Sequence, residues 1–62
     1  MMSVEELIKR LVSQADKPRN RHELRFLLQW IHDECRLRWP NVSKRAVWDI
    51  VKEIDGYNLE RD

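Results

Sequence analysis

Residues 21–38, RHELRFLLQWIHDECRLR, constrain the fold of this chain more than any other stretch. An α-helix advances about 100° per residue, so Leu24, Leu27, Leu28, Ile31 and Cys35 gather within roughly 100° of arc. Phe26, Trp30 and Leu37 widen that arc on one side, which predicts a central helix packed on two sides. The opposite arc holds His22, Arg25, Gln29, His32, Asp33 and Arg36 and is polar and mostly basic. One side is therefore expected to build the fold while the other meets a partner.

The flanking segments supply helices to cover that core face. Ser3 and Glu6 match the S-x-x-E capping box, and Met2 with Leu7 forms a hydrophobic staple across it. Val4, Leu7, Ile8, Leu11, Val12 and Ala15 then recur at helical spacing. Pro18 disfavours helical geometry at Lys17, and Asn20 with Glu23 three residues on is an N-cap signature for the central helix. Pro40 cannot extend that helix. Ser43 caps a third, with Val42 and Val47 as its staple and Val47, Ile50, Val51 and Ile54 as its inner stripe. Gly56, the only glycine, stands where a left-handed C-terminal cap is wanted. No stretch alternates apolar and polar residues long enough to make a strand. The reading is an all-α, single three-helix domain over 1–62, with helices at about 3–15, 21–38 and 44–55. Residues 57–62 form a short C-terminal tail from which Tyr57 or Leu59 folds back.

Sixty-two residues lie near the lower limit for independent folding, since a chain this short buries only about 60% of its unfolded surface. A homodimer is the usual way to add to such a core. The single Cys35 excludes an internal disulfide and fits a reducing cytoplasm, or a host cytoplasm if the gene is viral. No secretory or transit segment and no apolar run of about 18 residues is present, so no membrane role is expected.

Catalysis and cofactors are not expected. His32 and Cys35 stand at i, i+3, but His22 lies a further ten residues away and a zinc site needs three or four protein ligands. Ser3 and Ser43 act as caps, and one glycine cannot build a phosphate-cradling loop. A neutral thiol on an apolar arc is a small hydrophobe.

Charge points toward binding. Lys17 to Arg45 contains eight basic residues against three acids, although the whole chain is only +1. Arg21, Arg25, Gln29 and Arg36 on the second helix, with Lys44 and Arg45 opening the third, form the candidate surface for DNA or RNA. Arginine outnumbers lysine, and its planar fork suits phosphates and guanine edges. Residues 41–50, NVSKRAVWDI, resemble the second half of a bacterial helix-turn-helix unit, with Asn41, Val42, Val47 and Ile50 in its turn and apolar places. The resemblance implies a recognition helix from Ser43, with Lys44, Arg45, Trp48 and Asp49 toward a groove. Pro40 and Arg36 depart from the pattern, since both stand where it has hydrophobes. The alternative is a protein partner, as for a small inhibitor or adaptor, held by Trp39, Trp48 and Arg38, because tryptophan beside arginine is interface composition.

Overall fold

The computed structural model describes residues 2–59. Within it the chain forms three helices and no strand: α1 Val4–Gln14, α2 Arg21–Arg36 and α3 Lys44–Val51. Each helix packs on the other two.

All three helix starts follow from their caps. The Ser3 hydroxyl accepts from the Glu6 N–H at 3.2 Å, the Asn20 side chain from Glu23 N–H at 2.9 Å, and the Ser43 hydroxyl from Ala46 N–H at 3.0 Å. Each satisfies one of the orphan donors in a first turn. Glu23 also reaches back, and its Oε1 accepts the Arg19 N–H at 2.9 Å. That is one residue upstream of the N-cap, a lengthened form of the capping box.

The helix ends fall short of the sequence expectation. Beyond Arg36 the backbone tightens: Leu37 N–H donates to Glu34 O and Arg38 N–H to Cys35 O, the i→i+3 pattern of a fraying turn. A β-turn over Trp39–Val42 then closes through Val42 N–H to Trp39 O at 2.9 Å, with Pro40 in its second place. α3 loosens likewise after Val51, through Glu53 N–H to Ile50 O and Ile54 N–H to Val51 O. Gly56 does not cap α3. It is the third residue of a separate turn closed by Tyr57 N–H to Ile54 O, and its φ of +86° is one that side chains rarely adopt.

That turn returns Tyr57 to the core, where it is buried, and Leu59 packs half-buried beside it. The rest of the core is Leu7, Ile8, Leu11 and Val12 from α1, Leu24, Leu27, Leu28, Ile31 and Cys35 from α2, and Val47 and Val51 from α3. Ile8, Leu24, Ile31, Cys35, Val47 and Val51 are entirely enclosed. Trp39, Trp48, Ile50 and Ile54 pack against this centre from its edges.

The expectation that α2 is packed on two sides is overturned. Phe26 is 68% exposed, Trp30 40% and Leu37 79%. The two shorter helices cover one broad arc of α2, and in so small a domain nothing remains to cover a second.

Candidate nucleic-acid interface

Beside the seam between α2 and the start of α3 lies an open groove of about 690 Å³. Arg25 and Gln29 of α2 and Lys44 and Arg45 of α3 bring four of the six expected nucleic-acid-binding side chains to it. The rings of His22, Phe26 and Trp48 line the same groove, and Leu28 contributes the apolar side of its wall. No carboxylate is among its lining residues. Arg21 and Arg36 are exposed but outside it. Arg21 is one turn before Arg25, about 6 Å along the axis, and Arg36 about 16 Å beyond Arg25 on nearly the same line. Together they extend the basic side of the groove along α2.

Arg45 and Arg36 pair with neighbouring acids at the surface. Arg45 Nε lies 3.3 Å from Asp49 Oδ1, which Lys52 Nζ also approaches at 3.3 Å. Arg36 lies 3.6 Å from Asp33 Oδ1, an oxygen that also accepts from Gln29 Nε2 at 3.0 Å. Such solvent-facing pairs contribute about 0–1 kcal/mol and are readily exchanged for a phosphate. Lys52 Nζ also sits 6.0 Å from the Trp48 ring centroid, in cation–π range.

His32 does not belong to the open ridge. It is half-buried, and its Nε2 lies 3.0 Å from the Val42 carbonyl, tying α2 to the turn that leads into α3. A ring N–H donating there leaves Nδ1 as a buried acceptor with no partner among the described residues. The contact joins α2 to the segment that leads into Lys44 and Arg45.

The alternative anchors sit as follows. Trp39 and Trp48 are half-buried against the core. Arg38 is exposed in the turn after α2. Phe26, Trp30 and Leu37 are the large hydrophobics that face water instead. The signal for this was available: Phe26 lies about 150° around the helix from the middle of the Leu24–Cys35 arc. The His22 and Phe26 rings meet in a T-shaped contact, centroids 5.2 Å apart.

Among the described residues no three His, Cys, Asp or Glu side chains come together to hold a metal. Cys35 is buried, and burial foremost, with Glu34 adding to it, raises its thiol above the ordinary range. Among the described residues no helix is long and apolar enough to cross a membrane. Comparison with protein-family models, curated proteins and solved structures gave no match to this chain.

Proposed function

We propose that this protein is a small non-catalytic regulator that binds nucleic acid through the groove between α2 and α3, in a reducing, cytoplasmic setting. The observation that carries the reading is the convergence of Arg25, Lys44 and Arg45 from two helices on one carboxylate-lacking groove, with Gln29 between them. Cations from separate elements can straddle a phosphate chain, and guanidinium and amide groups can address both phosphate oxygens and base edges. The basic line along α2 continues the electrostatic footprint beyond the groove.

The test is a set of binding isotherms on fluorescein-labelled oligonucleotides over a series of salt concentrations. Counter-ion release requires log K to fall linearly with log salt, by about 0.7–0.9 for each phosphate neutralised. Three groove cations predict a slope near −2 to −3. A flat salt dependence, or no binding at low salt, contradicts the proposal.

A protein partner is the second reading, favoured by the exposed strip of Phe26 and Trp30 on α2 and Leu37 just past its end. Exposed large hydrophobics in a row suit a partner surface, a second copy of the chain included. Substituting Trp30 and Leu37, which lie outside the groove, separates the two readings. Oligonucleotide binding keeps its strength in those variants if the groove is the site.

A further inference from the structure

The groove's rings distinguish which form of nucleic acid fits it. We infer that its ligand is single-stranded, with an unstacked base lying on Phe26 while the adjoining phosphates meet Arg25, Lys44 and Arg45. This rests on the nucleic-acid reading above and narrows it.

Phe26 is 68% exposed at the groove, an orientation that the core does not require and that places an apolar ring in water. The His22 ring meets it in a T-shaped contact, which restrains the Phe26 ring. Trp48 supplies a second aromatic wall from α3. Duplex backbones present phosphates and sugars to such a surface and keep their base faces stacked inside. A single strand offers those faces, and every base has one.

The link between α2 and α3 argues against the duplex-reading alternative: Leu37 to Ser43 is seven residues long, whereas a helix-turn-helix joins its helices with about 3–4.

The test compares labelled oligodeoxythymidylate, oligouridylate and a mixed-sequence duplex, each of about 12 nucleotides per strand, a span that a small domain can occupy. Binding is read by anisotropy on wild-type protein and Phe26→Ala. Either single strand binding at least about tenfold more tightly than the duplex supports the inference, and the two single-strand arms separate DNA from RNA as its source. Phe26→Ala is expected to weaken single-strand binding about 5- to 150-fold, the range for losing one stacked base. It should leave the salt slope unchanged, because no phosphate contact is removed. Equal or tighter duplex binding, or no loss in Phe26→Ala, overturns the inference while the broader proposal stands. Absence of binding to all three probes overturns both. Since Phe26 faces solvent, the variant keeps the fold, which circular dichroism of the same sample verifies. Phe26→Tyr should restore most of the affinity; failure of that rescue also counts against stacking.

Discussion

The two arcs of α2 use similar side chains to opposite ends. The inner arc of Leu24, Leu27, Leu28, Ile31 and Cys35 is sealed, and the outer one shows Phe26, Trp30 and Leu37 to water beside Arg25 and Arg36. Hydrophobicity alone does not separate them, for Phe26 and Leu37 face water while Leu24, Leu27 and Leu28 are buried. Coverage does. α1 and α3 subtend one broad arc, and whatever lies beyond it is surface. A 62-residue chain with three helices thus carries apolar groups that its own core cannot use, and it sets them among cations.

Substitutions on either arc can break or sharpen that contrast. The largest effect belongs to the centre of the inner one. Ile31→Ala removes a fully enclosed side chain and should cost about 2–5 kcal/mol, a large share of the total for so small a domain. Urea denaturation followed by circular dichroism checks it, and a loss under about 1 kcal/mol would mean the core is packed elsewhere.

Next in size is Gly56→Ala, which forces a side chain into positive φ and against the end of Lys17. About 1–2 kcal/mol is expected, measured the same way. Asn20→Ala should cost about 1 kcal/mol by removing the cap on Glu23 N–H. Because α2 carries both arcs, this loss should also lower oligonucleotide binding at temperatures near the melting transition and nowhere else.

A smaller, pH-dependent effect comes from Cys35. Its thiol titrates above the ordinary range because burial disfavours the thiolate. The folded state therefore holds that proton more tightly than the unfolded one. This contribution is complete below the ordinary, unfolded-state thiol range and is lost as pH rises through the higher folded-state value. The melting temperature of the wild type should consequently fall more between neutral and strongly alkaline pH than that of Cys35→Ala, and equal falls would refute the assignment. Least of all should Leu37→Ala change stability, by under about 0.5 kcal/mol, since it is an exposed substitution.

Much of this architecture was legible from residue spacing. Ser3, Asn20 and Ser43 announce the helix starts because a cap is a local hydrogen bond that needs no tertiary context. The sealed arc of α2 and the inner stripe of α3 are equally local in origin. The helix ends were less legible. Arg38 and Asp55 continue a helical pattern on paper, but Pro40 and the turn at Gly56 unwind the last residues into i→i+3 bonds. Tertiary coverage was harder still. Phe26, Trp30 and Leu37 read as core while the number of covering helices was unweighed, and His32 read as surface although it reaches the Val42 carbonyl. Of the groove's lining, Arg25, Gln29, Lys44 and Arg45 were expected side by side and His22 and Trp48 were read beside them, whereas Phe26 was read as core.

The account stands on the independence of the sealed side of α2 from its open side, and one double variant, Arg25→Glu with Lys44→Glu, tests it most directly. Lys44 opens α3, where a negative charge favours the helix, so reversing it does not threaten the fold. Urea midpoint and oligonucleotide affinity are measured on the same preparation. The account predicts a stability change within about 0.5 kcal/mol together with loss of binding. Binding retained at wild-type strength, or lost only in step with unfolding, would contradict it.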